Sequence, residues 1–314
     1  MKRIIAINLS MVLMVSLSLM SCAVKDKDAS SGKVNIVTTT SMIADIVKNE
    51  CGDLANVTSL MGAGVDPHLY KASAGDVTTM SNADIIFYNG LHLEGKLVEV
   101  LENMGKKIKT VAVTDTISRD KLSAPKEFQG NYDPHVWFDV QLWIEAAKHT
   151  EDVLIKAIPD KADKIRANAE KYIADLRQLD DYVKAKASSL APSQRVLITA
   201  HDAFNYFGRA YSFKVMGLQG ISTASEAGTA DVKALSDFIV ENKIPAIFVE
   251  SSVPHRNIEA LQAAVLAKGF DVKIGGNLYS DALGSPDSAE GAYVGMVRYN
   301  IDTIVNALKG DTKK

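Results

Sequence analysis

The chain has 314 residues, 47% apolar and 23% charged, which is ordinary for a globular protein and long enough for two modest domains. Its formal net charge of -3 comes from interspersed acids and bases. It therefore lacks the basic footprint a nucleic-acid binder needs, and nucleic acid is not an expected partner.

Lys2 and Arg3 precede an apolar stretch from Ile4 to Met20, the charged and apolar regions of an export signal. The stretch ends in Leu19-Met20-Ser21-Cys22, which resembles the lipobox of bacterial lipoproteins, with Met20 a less usual residue at its place. Residues 1–21 thus read as a lipoprotein signal peptide, with membrane attachment through lipid on Cys22. A transmembrane anchor or a simple cleaved signal fits less well, because the run is near the short end for a span and stops at a small residue and a cysteine. Removal of the signal leaves 33 bases against 38 acids, a net charge of -5. Residues 22–33, with two Lys-Asp pairs and Ser-Ser-Gly, have too few apolar side chains to pack and read as a flexible tether. Cys51 is then left without a cysteine partner and reads as a small residue closing a helix before Gly52.

From Val34 onward, β-type apolar runs alternate with amphipathic stretches, the pattern of α/β units with a mainly parallel sheet. Expected strands in the first lobe, residues 34–158, are Val34–Thr39, Asn56–Leu60, Asp84–Tyr88 and Lys109–Val113. Helices are expected at Ser41–Glu50, Ala74–Met80 and Leu93–Asn103, and another around Lys148–Glu151. In residues 159–190, Ile165, Ala169, Tyr172, Leu176, Leu179 and Val183 recur at alternating steps of four and three. They predict one long helix, with Pro159 in its first turn, Pro192 beyond its end and a reach of about 45 Å. Its stripe suits packing on the chain's own lobes better than a coiled-coil seam, which would need more heptads. The second lobe, residues 191–314, repeats the scheme. Strands are expected at Arg195–Thr199, Lys214–Leu218, Ala246–Glu250 and Asp271–Ile274, and helices at Asp231–Asn242, Asn257–Lys268 and Glu290–Leu308.

The chemistry lies in four segments. GVDPHLY at 64–70 and DPHVWFD at 133–139 each contain Asp-Pro-His in a loop position that follows strand-like sequence. Proline fixes the backbone before each imidazole, and a nearby aspartate can hold the second ring nitrogen and so set the tautomer. His201, in TAHDAFNYFGRAY at 199–211, follows a strand where α/β folds usually present ligand-binding groups, and LYSDALG at 278–284 offers Asp281 after the last strand. His68, His135, His201 and Asp281, at separations of 67, 66 and 80 residues, would make a four-coordinate N/O metal site in a cleft between the lobes. Spacing alone carries no distance information, so each histidine by itself could equally be a surface or structural residue.

From VTTTSMIADIVKN to EGAYVGMVRYNIDTIV, the chain resembles the metal-receptor proteins of ABC importers, the group that includes TroA, ZnuA and PsaA, and looks nearest to TroA. The resemblance implies two (β/α)4-like lobes joined by one long backbone helix, with metal in the interlobe cleft. It carries the ligand roles to His68, His135, His201 and Asp281, and implies zinc or manganese as the bound ion, an ABC permease as partner, an extracytoplasmic location and a monomer. Manganese receptors of the group often carry glutamate at the third position, so His201 tilts toward zinc, as does the affinity order of the metals. The zinc branch often has a histidine-rich loop before the second ligand, whereas residues 118–131 contain no histidine, which keeps manganese open.

The remaining histidines read as surface or structural: His92 starting a helix, His149 on a polar helix side, and His255 in a loop. Glu250 is a candidate to support the ligands, and Trp137, Phe204 and Tyr206 to pack the lobes together. A zinc hydrolase would need a vacant coordination position and shows no H-E-x-x-H pair, so the chain is not expected to be an enzyme. A surface adhesin would leave no sequence signature, and a receptor for an organic solute would want an aromatic-lined pocket rather than three imidazoles.

Overall fold

The structure is a computed structural model that describes residues 33–128 and 130–309; the expected signal peptide, Cys22 and nearly all of the tether lie outside the described residues. In the first lobe, β1 (Val34–Thr38), β2 (Ala55–Ser59), β3 (Ile85–Tyr88) and β4 (Lys109–Ala112) form a wholly parallel sheet in the order β2-β1-β3-β4. Parallel neighbours need crossovers, which α1 (Ser41–Cys51), α2 (Ala74–Ser81) and α3 (Val98–Gly105) provide. The Thr40 hydroxyl caps α1 by accepting the Ile43 N–H, and the helix buries Met42, Ile43, Ile46 and Val47 before closing on the buried Cys51. The expected helix over 93–103 begins only at Val98. The reason is Glu94, whose buried carboxylate accepts the N–H groups of Asn89 and Gly90 and pins residues 89–94 as a turn. His92 therefore sits in that turn at φ +65°, exposed, rather than starting a helix.

α4 (Val140–Ala157), capped by the Asp139 carboxylate on the Gln141 N–H, closes the first lobe and buries Leu142, Trp143, Ala146, Ala147 and Leu154. His149 on this helix is half-buried rather than on a fully polar side, and burial lowers its pKa. One 3-10 turn at Pro159–Lys161 then leads into α5 (Ala162–Ser188). All six stripe residues, Ile165 through Val183, are buried. They pack against α1 and α4 on one side and, in the second lobe, against α6 (Asn205–Tyr211) and α9 (Tyr293–Leu308). Each buried Ile or Leu contributes roughly 1.5–3 kcal/mol, so α5 is held along its length by the chain's own lobes. Asp180 on α5 adds a polar tie to both lobes, accepting from Gln141 Nε2 at 2.6 Å and Tyr211 Oη at 3.0 Å.

The second lobe pairs its strands two by two: β5 (Val196–His201) with β6 (Lys214–Gln219), and β7 (Ala246–Glu250) with β8 (Lys273–Leu278), both parallel. β5 and β7 lie side by side, and at their C-terminal ends a side chain supplies the bond across the gap: Glu250 Oε1 accepts the His201 N–H at 2.8 Å. α7 (Thr229–Asn242) and α8 (Arg256–Leu266) cover this lobe. The last strand runs four residues past its expected end at Ile274, because Gly275-Gly276 marks a close approach rather than a stop. A Cβ on Gly275 would lie 2.6 Å from Ala307 Cβ, so glycine lets α9 rest directly on β8.

Candidate metal centre

Each candidate ligand is delivered by the C-terminal side of a sheet, where an α/β fold opens its crevice. His201 is the last residue of β5, and Asp281 lies three residues past β8. His68 is in the connection between β2 and α2, while His135 comes only after the chain has spent residues 113–132 on the way from β4. The second Asp-Pro-His therefore does not directly follow a strand. Two of the side chains come from each lobe.

The structure brings all four together. His68 Nε2 and His135 Nε2 lie 3.3 Å apart, and the Asp281 carboxylate faces all three rings: Oδ2 is 3.3 Å from His201 Nε2 and 4.0 Å from His68 Nε2, and Oδ1 is 3.5 Å from His135 Nε2. One donor atom from each residue lies within 4.8 Å of all the others. A tetrahedral ion with ligands at about 2.0–2.1 Å has ligand-to-ligand edges of about 3.3–3.4 Å, close to the shorter of these separations. All four side chains are buried, His68 at 3% exposure and the others at 0–1%. Even so, His201 Nε2 and Asp281 Oδ1 make no hydrogen bond. Buried polar atoms rarely go without partners, and a cation equidistant from these donors would satisfy them.

The outer nitrogens explain how the rings are held. Asp133 Oδ1 faces His135 Nδ1 at 2.7 Å and also accepts the His135 N–H at 3.0 Å. Glu250 does the same for His201, facing Nδ1 at 2.5 Å through Oε2. A carboxylate on the outer nitrogen leaves Nε2 to point its lone pair inward and raises its basicity. Asp66 behaves differently: its Oδ1 accepts the His68 backbone N–H at 2.8 Å and its Oδ2 accepts from Thr223 Oγ1 at 2.6 Å, so the ring-holding role expected of this aspartate is not seen. The aromatics knit the lobes, with Trp137 Nε1 donating to Ser280 O at 2.9 Å, Phe138 stacked on Phe204 at 4.1 Å, and Tyr206 Oη donating to Asp133 O at 2.9 Å. Glu94 and Asn89, which sequence reasoning missed, support the site from beneath: Glu94 fixes the turn and Asn89 Nδ2 donates to Pro134 O at 3.1 Å, just before His135. The only signal for them was Asn-Gly after a strand.

Electrostatics divides the imidazoles. Burial pulls His68 down to about 3, overriding the Asp281 carboxylate, so its ring is neutral at physiological pH. Burial acts on His201 in the same direction, but Glu250 and Asp281 together hold it well above the ordinary histidine value. Burial would raise Asp281, and the surrounding imidazoles, His201 foremost, hold it below the usual carboxylate range. His201 and Asp281 thus share a charge pair that an incoming cation would replace. Three imidazoles and a carboxylate form a donor set of the kind zinc prefers, with manganese favouring more oxygen.

The profile of the ZnuA family, described as the zinc-uptake complex component A, periplasmic, matches residues 36–307. The chain belongs to this family. Within 283 aligned residues it is 52% identical to the zinc-binding protein TroA of Treponema pallidum, covering 90% of this chain and 91% of the relative. It is 46% identical over 299 residues to the manganese-binding lipoprotein MntA of Bacillus subtilis, covering 95% and 97%. The solved structure of the periplasmic zinc-binding protein TroA from Treponema pallidum superimposes with a TM-score of 0.87 over 88% of this chain and 99% of that one. The two-lobed α/β fold of this ZnuA-family chain is thus that of a solved relative.

Proposed function

We propose that this protein is an extracytoplasmic receptor that binds a divalent transition metal, zinc or manganese, through His68, His135, His201 and Asp281, and delivers it to the permease of an ABC importer. The observation that carries this reading is the convergence of four buried donors from two lobes, two of whose atoms lack any hydrogen-bond partner. The relatives' names, zinc-binding protein and manganese-binding lipoprotein, support the same cargo. The donor set favours zinc of the two. A site that supplies four protein ligands leaves no position for an activated water, so binding without turnover fits better than catalysis.

The anchor and boundaries belong to the same reading. Residues 1–21 serve as the signal peptide, Cys22 carries the lipid, 22–33 form the tether, 34–158 and 191–314 the lobes, and 159–190 the joining helix, in a chain that works as a monomer. Among the described residues no helix is long and apolar enough to cross a membrane. The deciding experiment is elemental analysis of protein isolated from its own envelope without added metal, beside a His135→Ala/Asp281→Ala double variant. About one zinc or manganese per chain in the wild type and none in the variant is expected; metal-free wild type, or metal retained by the variant, would refute the assignment.

A further inference from the structure

The four ligand segments are not tied across the cleft alike. The His135 segment is held by three bonds from the second lobe, two of them buried, Tyr206 Oη to Asp133 O at 2.9 Å and Tyr293 Oη to Trp137 O at 2.6 Å, and one part-buried, Asn205 Nδ2 to Asp133 Oδ2 at 3.2 Å. The Asp281 segment receives Trp137 Nε1 on Ser280 O and gives the Leu283 N–H to Ser41 Oγ, both at 2.9 Å. His201 ends a strand and is bonded to Glu250 within its own lobe. The His68 segment meets the second lobe through the bond from Thr223 Oγ1 to Asp66 Oδ2 at 2.6 Å. Beside it Gly64 has φ +70°, and a Cβ there would lie 3.3 Å from Ser251 O, so the loop can lie close on the opposite lobe only with glycine in this place.

Thr223 lies in the connection between β6 and α7, whose residues 224–226 are exposed. A cavity of about 370 Å³ lies against the same connection, lined by Gln219, Ile221, Ser225 and Ala227. Thr223 itself is buried at 8% exposure, but it sits in a connection whose next three residues are exposed and which borders the cavity, whereas Tyr206 and Trp137, the partners of Asp133 and Ser280, are fully buried among the aromatic residues of the core. Weakly packed loops open at lower free-energy cost than core segments.

We propose, taking the metal-receptor reading as given, that Asp66 and Thr223 form the latch that closes the His68 segment over the cleft, and that its opening is the step by which metal passes in and out. One carboxylate does both jobs: Oδ1 holds the His68 N–H while Oδ2 holds Thr223, with Pro67 stiffening the link between them. When Thr223 lets go, Asp66 and His68 move together, and His135, His201 and Asp281 remain as a three-donor half-site on fixed supports. Asp66 and Thr223 are positioning residues, acting through His68 rather than on the ion.

The test is stopped-flow release of zinc from loaded protein into excess EDTA. Thr223→Val, which keeps shape and removes the hydroxyl, should release zinc about tenfold faster than wild type, near the low end for a hydrogen bond to a carboxylate. Thr223→Ser should restore slow release, and the metal-free melting temperatures of all three should agree within a degree or two. An Asp66→Asn/Thr223→Val double variant should release no faster than the product of a single lost bond allows, showing that the two act as one unit. Release from Thr223→Val within twofold of wild type, a Thr223→Ser variant as fast as Thr223→Val, or a larger acceleration from Ser41→Ala would overturn the latch. Wild-type protein that takes up neither zinc nor manganese would overturn the receptor reading instead, before any release is timed.

Discussion

The same tripeptide, Asp-Pro-His, appears twice and is used in two ways. At 133–135 the aspartate grips both the ring and the backbone of the histidine, and aromatic side chains from the second lobe lock the segment from above. At 66–68 the aspartate grips only the backbone, spends its other oxygen on a threonine across the cleft, and is followed by Leu69 at 47% exposure. An identical local sequence is therefore held in two ways, and the surroundings decide which; on the proposed reading one segment carries a fixed ligand and the other a ligand that can move. A site that must hold an ion tightly and still give it up needs both.

The largest effect that would break this contrast is loss of a fixed ligand. His135→Ala, His201→Ala or Asp281→Ala should each weaken zinc binding by at least about a hundredfold, beyond the usual cost of losing a supporting partner. Competition titration against a chelating dye measures it. His68→Ala should also bind poorly, but with the loss concentrated in the dissociation rate, because the three fixed donors remain assembled. If His68→Ala abolished capture as completely as His135→Ala, the two segments would be equivalent after all.

Next come the supports. Asp133→Asn and Glu250→Gln should each cost about 10–100-fold in affinity, since each carboxylate sets the tautomer and basicity of a ligand ring. Asp66→Asn should cost less, roughly tenfold, and through faster release. Equal losses from Asp133→Asn and Asp66→Asn would erase the distinction.

Proton competition sharpens it further. In the metal-free protein His201 is held above its ordinary value and His68 far below, so at pH 7 the ion must displace a proton from His201 and none from His68. Binding in weak buffer should release protons, the one on His201 among them, and affinity should fall on acidification from neutrality. The metal-induced rise in melting temperature should shrink across the same window. For the metal-free protein the signs oppose. His68 is depressed in the folded state, so below about 6.5 only the unfolded chain gains its proton and stability falls as pH drops toward 3. His201 is raised, so its contribution is present below about 6.5 and is lost as pH climbs through its folded-state value. A metal-induced melting shift that does not change with pH would place the ion elsewhere. The smallest expected effect is that of His92→Ala, His149→Ala and His255→Ala, each within about twofold of wild type by the same titration, since none of them joins the cluster.

The strut and the order of elements were legible because they are local. Ile165 to Val183 repeat at helical spacing, and a stripe of that length can be buried only by something equally long, which α5 finds in α1, α4 and α9. The turn at 89–94 was misread because the competing hydrogen bonds come from Glu94, a strong helix former by composition that here spends its carboxylate on backbone N–H groups. The end of β8 was misread because glycine pairs look like stops, when the neighbour that required them was Ala307 on α9, far along the chain.

By itself the sequence determined the kinds of donor available, the backbone stiffness before two of them and the α/β periodicity, because these are written in neighbouring residues. The tertiary structure alone decided that His68, His135, His201 and Asp281 meet while His92, His149 and His255 do not, and which ring nitrogen the expected support Glu250 faces. It also decided that the two Asp-Pro-His segments differ. The physical reason is that a ligand's role depends on distances and partners across the cleft, and separations of 66 to 80 residues leave such distances unspecified until strands, helices and lobes have packed.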